Sequence, residues 1–199
     1  MARAVTDGKT LNTKASGVIA VAVMCSRVLG LIREMLFAGL FGTTLMGLFT
    51  VAFRAPNLLR DLFAEGALST AFVTVFSRKI EREGPGAAWE LAGKMMTLTA
   101  VFMSAVSLLG VVFAEPLIGV LAMGFSPEDA AQVVVLTRIM YPFILLVSLA
   151  ALAMGMLNAR GIFGVPAMAS SFFNIGSILG GAILGWWLDP GFGPRALMG

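Results

Sequence analysis

Three stretches without a charged side chain dominate the second half of this chain. They are residues 95–114, 139–159 and 161–188, which are 20, 21 and 28 residues long. A helix rises about 1.5 Å per residue and needs about 20 apolar residues to cross the hydrocarbon core of a bilayer, and each stretch reaches that length. Composition points the same way: 58% of the 199 residues are hydrophobic and 13% charged, with a mean hydropathy of +0.92. An ordinary soluble domain is about a quarter charged. A core of 20.9 kDa cannot hide this much apolar surface, so much of it must face lipid. The expected fold is an all-α, polytopic helical membrane protein.

Several chemistries drop out. The chain has no His, which removes imidazole bases, Ser-His-Asp triads and the commonest zinc ligand. Its one cysteine, Cys25, can form no internal disulfide and reads as a small buried residue in an apolar run. Basic residues before the first apolar run mimic a signal peptide, but no small-x-small cleavage site follows, so an uncleaved first span is expected. No enzyme chemistry and no metal site are expected.

The pattern predicts a cytoplasmic tail over 1–14 and a transmembrane helical lobe over 15–190. Its helices fall at about 15–41, 46–77, 90–114, 130–159 and 163–188, and 191–199 reads as the truncated start of a sixth. The turn between the first two is placed at 42–47, and the short apolar piece 117–123 is expected at the interface because it is too short to cross. Outside the spans, eight Lys and Arg fall on one side (Arg3, Lys9, Lys14, Arg78, Lys79, Arg82, Lys94 and Arg160) against Arg195 alone on the other. The positive-inside rule then makes the N-terminus cytoplasmic.

The charges inside the first two helices carry the most information. An Arg at a helix centre costs about 2.5–3.5 kcal/mol on the lenient insertion scale, so Arg27, Arg33, Arg54 and Arg60 must face protein or a water-filled cavity. Arg27 and Glu34 are seven residues apart, as are Arg54 and Asp61, and seven residues return to nearly the same helix face. An antiparallel hairpin about a turn at 42–47 sets Arg27 level with Asp61 and Glu34 level with Arg54, which predicts two cross-helix ion pairs. With Glu65 counted, acids remain fewer than arginines. Arg138 adds another cation, expected to reach toward Glu128 and Asp129. Surplus guanidinium groups suit an anionic, phosphate-bearing substrate through paired donors. The alternative, that these arginines only staple helices together, stays open at this point.

Other features read more plainly. The Met and Phe residues are taken as lipid-facing or packing groups. The small-residue stripe Ser170, Asn174, Ser177, Gly181 and Gly185 reads as a face for close helix approach, as does Ala151, Gly155 and Ala159. Asn57 and Asn174 are also candidates to line a polar cavity.

The segments Ser26-Arg27-Val28-Leu29-Gly30-Leu31-Ile32-Arg33-Glu34, Val51-Ala52-Phe53-Arg54-Ala55-Pro56-Asn57-Leu58-Leu59-Arg60 and Phe63-Ala64-Glu65-Gly66-Ala67-Leu68-Ser69 strongly resemble the lipid II flippase family (MurJ, also called MviN). Tyr141-Pro142-Phe143-Ile144-Leu145-Leu146 and Leu157-Asn158-Ala159 are similar to its fourth helix. The resemblance covers essentially all of 15–190. It implies two-lobed transporters of the multidrug, oligosaccharidyl-lipid and polysaccharide exporter superfamily, of which this chain would be the first five helices and the start of the sixth. Arg27, Arg33 and Arg60 match family arginines implied to hold the pyrophosphate of lipid II, with Glu34, Arg54, Asp61 and Glu65 as supporting charges. Glu34 stands where Asp is more usual. Gly47 stands where an Asp is common.

The resemblance implies movement of undecaprenyl-pyrophosphate-linked peptidoglycan precursor across the bacterial cytoplasmic (inner) membrane by alternating access, for cell-wall synthesis. No cofactor is expected; energy would come from the membrane potential or a monovalent ion. Expected partners are lipid II, membrane lipids and the remaining helices of a longer transporter, with no nucleic acid. Two other readings compete. One is a cation-coupled drug or small-solute antiporter using Glu34, Asp61 and Glu65. The other is a non-transporting membrane scaffold.

Overall fold

The computed structural model describes residues 2–63 and 67–198, with side chains described for 17–59, 61 and 71–198. Helix α1 spans Ala2–Phe63, α2 Ala67–Glu83, α3 Pro85–Val112, α4 Ala114–Leu121, α5 Pro127–Ala159 and α6 Gly164–Leu179. A wider π-helical turn at Gly180–Leu184 carries α6 into the short α7, Gly185–Leu188, and a 3-10 helix follows at Pro194–Met198. No strand occurs among the described residues.

Four stretches are long and apolar enough to cross a membrane: Gly17–Leu59, Pro85–Val112, Pro127–Ala159 and Gly164–Leu188. The first has 43 residues, and a straight helix of that length would extend about 65 Å, twice the hydrocarbon thickness. It is not straight. Gly42 breaks it at φ 72°, ψ 171°, a conformation that a residue with a Cβ rarely adopts. The first two expected helices are therefore arms of one bent helix. The turn expected over 42–47 is confined to Gly42, and residues 43–47 are helical. Pro56 leaves the second arm helical, since Gly42 is the one interior residue with non-helical angles. The second arm is described to Phe63 and α2 begins at Ala67, so the expected continuity through 64–66 lies outside the described residues.

Each arm leans on a different helix. The first arm runs parallel to α6: Ser26 meets Asn174, Phe37 meets Gly181 and Phe41 meets Gly185, so numbers rise together along both. The second arm packs beside α5, where Thr137 Oγ1 donates to the Ala52 carbonyl at 3.3 Å. Helix α3 lies antiparallel to α5, with Val111 and Gly110 near Arg138 and Tyr141 at one end and Ala88 and Ala92 near Leu152 and Met156 at the other. Helix α5 contributes to all three apolar clusters: Val133 and Leu136 to one, Tyr141 and Ile144 to another, Leu152 and Met156 to the third. It is the post around which the bundle is built.

The helix expected to end at 77 runs on to Glu83, where Lys79 and Glu83 pair at 2.6 Å one turn apart. Three further boundaries differ from the sequence reading for identifiable reasons. Helix α3 starts at Pro85, not near 90, because Pro85 follows Gly84 (φ 87°) and occupies the first helical turn, where its missing N–H costs nothing. Glu90 and Lys94, which interrupt the apolar pattern there, pair with each other at 2.7 Å on the surface. Helix α5 starts at Pro127 because Ser126 caps it, its Oγ accepting from the Asp129 amide at 3.1 Å. The apolar piece expected over 117–123 folds as α4 from Ala114, with Pro116 in its first turn.

Candidate functional site: a cationic, aromatic-walled chamber

The bend at Gly42 and the divergence of the two arms leave a chamber of about 650 Å³ between α1, α5, α6 and the C-terminal 3-10 helix. Its walls are stripes of helical spacing. Arg33, Phe37 and Phe41 follow one another at four residues down the first arm, and Phe49, Phe53 and Asn57 do the same down the second. Ile139, Met140 and Phe143 of α5, Phe173 and Ser177 of α6 and Gly181 of the π-helical turn complete it. Gly181 lets the first arm close in: a Cβ there would lie 2.6 Å from Phe37 Cζ.

Two guanidinium groups and one carboxylate enter the lining: Arg33, Arg54 and Glu34. Arg33 sits 3.7 Å from Glu34 Oε1 and 5.8 Å from the centre of the Phe173 ring. An exposed ion pair of this kind contributes about 0–1 kcal/mol, and the ring contact about the same, so neither immobilises the cation strongly. Among the described residues no carboxylate pairs with Arg54. The lining is thus amphipathic, with a net positive charge on aromatic walls.

The expected cross-helix pairs do not form: no ion pair joins Arg27 to Asp61 or Glu34 to Arg54. Equal depth does not bring side chains together when one arm leans on α6 and the other on α5. Arg27 is exposed and lies outside the chamber lining. Asp61 is exposed as well, and so is Cys25, expected to be buried, because the first arm packs on α6 with one face and leaves the rest of its surface open. The side chain of Arg60 and the whole of Glu65 lie outside the described residues. Asn57 lines the chamber. Asn174 does not; it is buried against the first arm, donating to the Ser26 carbonyl at 3.0 Å. Arg138 reaches Glu115 Oε2 at 3.7 Å and the Val111 carbonyl at 3.2 Å, not Glu128 or Asp129, because Asp129 is engaged with Ser126 at the start of its own helix.

Sequence reasoning missed the aromatic lining. Phe49 and Phe53 stack with centroids 6.1 Å apart, and the series continues from Phe53 through Phe143 to Phe173. The spacing of Phe37, Phe41, Phe49 and Phe53 relative to Arg33 and Asn57 was the available signal, since it places them on the charged faces.

Apolar spans around an amphipathic cationic chamber define a multi-pass membrane protein with a polar cavity among its helices. Residues 37–192 match the family model described as "Lipid II flippase MurJ", and the chain belongs to that family. Arg54, Asn57 and Arg60 fall inside the matched residues; Arg27, Arg33 and Glu34 precede them. The chain is 39% identical over 158 residues to the lipid II flippase MurJ of Burkholderia cenocepacia, covering 78% of this chain and 31% of that protein. It is 36% identical over 170 residues to a probable lipid II flippase MurJ of Bdellovibrio bacteriovorus, covering 83% and 32%. To the probable lipid II flippase MurJ of Rickettsia prowazekii it is 35% identical over 178 residues, covering 87% and 35%. The chain therefore spans about a third of the length of these relatives.

Proposed function

We propose that this chain forms part of a flippase that moves lipid II across the bacterial inner membrane by alternating access, carrying its substrate without chemical change. The observation that carries the reading is the pairing of Arg33 and Arg54 with an aromatic-walled chamber in a member of this family. Guanidinium groups present paired donors to pyrophosphate oxygens, and the rings offer apolar surface to the neighbouring part of the substrate while the undecaprenyl tail stays in the bilayer. Arg60, on the same arm as Arg54, and Arg27, on the same arm as Arg33, extend the cationic set. Weak retention of Arg33 by Glu34 suits a carrier, because release on the far side requires that binding be moderate. The N-terminus and the α2–α3 turn face the cytoplasm in this reading, and the membrane potential or a monovalent ion drives the cycle. The remaining helices of a longer protein complete the chamber. A surplus of carboxylates, which a cation antiporter would use, is not found in the lining, where Glu34 is the one acid among the described residues.

The test uses the complete transporter in cells depleted of their own flippase. Arg33→Ala is expected to abolish rescue at near-normal membrane abundance, and Arg33→Lys to lose most of it because a point charge does not reproduce paired phosphate contacts. Full rescue by Arg33→Ala would overturn the assignment.

A further inference from the structure

A second cleft, of about 280 Å³, opens where the Gly84 turn brings α2 and α3 against the C-terminal end of α5. Ile80, Pro85, Trp89, Ala159 and Arg160 line it. Its depth in the membrane follows from its position: Pro85 begins one apolar span and Ala159 ends another, so the cleft lies where hydrocarbon gives way to headgroups. Indole rings concentrate at that level because they are apolar in body and polar at one edge.

Arg160 follows the last residue of α5 and holds its guanidinium 5.8 Å from the centre of the Trp89 ring. The acids nearest in sequence to Trp89 are already matched, Glu90 by Lys94 at 2.7 Å and Glu83 by Lys79 at 2.6 Å. Among the described residues no carboxylate pairs with Arg160. The last two turns of α2 add Arg78 and Arg82 against Glu81, which leaves the face positive.

We propose that the Trp89–Arg160 cleft binds the phosphate of an anionic glycerophospholipid. The guanidinium takes the phosphate oxygens on paired donors, while Ile80, Pro85 and the indole face receive the glycerol and the first acyl carbons. The surplus of basic residues selects a net-negative lipid over a zwitterionic one. The site is separate from the chamber, which α1, α5 and α6 enclose. A lipid held here ties the end of α5 to the α2–α3 turn.

The experiment measures lipid contact at Trp89. These 199 residues hold three tryptophans, so Trp186→Phe with Trp187→Phe, together with phenylalanine at every tryptophan of the remaining helices in the complete transporter, makes Trp89 the sole reporter. The protein is reconstituted in phosphatidylcholine bilayers containing an equal fraction of brominated phosphatidylglycerol or of brominated phosphatidylcholine, and quenching is compared. The expected result is about fivefold more effective quenching by the anionic lipid, the factor that one near-surface cation supplies. It should fall to near parity in Arg160→Gln. A protein with Trp187 as sole reporter should show parity throughout. Parity at Trp89 with Arg160 intact, or an excess that survives Arg160→Gln, overturns the proposal. Should Arg160→Gln fail to accumulate, the excess at Trp89 must shrink at roughly tenfold higher salt, and an excess indifferent to salt is equally fatal. The readout is lipid proximity, with quencher in both leaflets, so it is independent of transport and of the orientation proposed above.

Discussion

Asn174, buried on α6, donates its Nδ2–H to the main-chain carbonyl of Ser26, 3.0 Å away on the first arm of α1. The Phe37–Gly181 and Phe41–Gly185 contacts lie further along the same seam. Together they hold the first arm away from the second and so keep the chamber open.

Replacing Asn174 by Leu keeps the volume but removes the bond. The expected loss is about 0.6–1 kcal/mol of stability, the usual worth of one interhelical hydrogen bond in a membrane protein. Reversible unfolding in mixed micelles measures it; an unchanged midpoint would show that packing alone holds the seam.

Tyr141 occupies the space where a side chain at position 110 would stand. Gly110→Ala should therefore force the ring or the helices apart, at a cost of about 1–3 kcal/mol, as overpacking generally does. In a Tyr141→Ala background the same change should cost much less. Equal costs in the two backgrounds, by thermal unfolding, would contradict the contact.

Arg54 lines the chamber and Arg27 does not. In the complete transporter, Arg54→Gln should weaken lipid II binding by about tenfold or more, the worth of one charge-assisted hydrogen bond, and Arg27→Gln should weaken it less. The ranking is read from lipid II titrations by native mass spectrometry. The opposite order would place the pyrophosphate nearer the far end of the first arm.

In a Cys25→Ala background, a cysteine at Gly84 should be shielded from a membrane-impermeant thiol reagent in intact cells and labelled after permeabilisation. Labelling before permeabilisation would reverse the orientation that the Lys and Arg count implies.

The bundle was legible from sequence because charge-free length and charge placement are imposed by the bilayer and leave few alternatives. The chamber was legible in part. Arginine in an apolar helix is costly enough to announce a polar cavity, whereas phenylalanine is equally at home in lipid, in a core or on a cavity wall, so Phe143 and Phe173 carried no such signal, and Phe49 and Phe53 carried it only through their spacing from Asn57. Hairpin arithmetic set the depths of Arg27, Glu34, Arg54 and Asp61 but not their lateral separation, which depends on which helix each arm leans against. The pairing of Arg138 with Glu115 was out of reach for the same reason, since it depends on how α4 folds beside the end of α3.

Gly42→Ala should cost about 1–3 kcal/mol, because φ 72°, ψ 171° lies in a region of backbone space open essentially to glycine alone. The check is thermal unfolding, and an unaffected midpoint would mean that the bend does not require this conformation.

That single residue also sets a mechanical ratio. Arg33 lies nine residues before Gly42 and Arg54 twelve after it, which places them about 14 Å and about 18 Å along their arms. A rotation of about 10° at Gly42 would carry either by roughly 2–3 Å at those radii. That displacement is about the difference between a direct guanidinium–phosphate contact and one spaced by water. Under the proposed function, the hold of the two arginines on a shared anion would be set by the backbone angles of one glycine, a fulcrum with the charges at the ends of its lever arms.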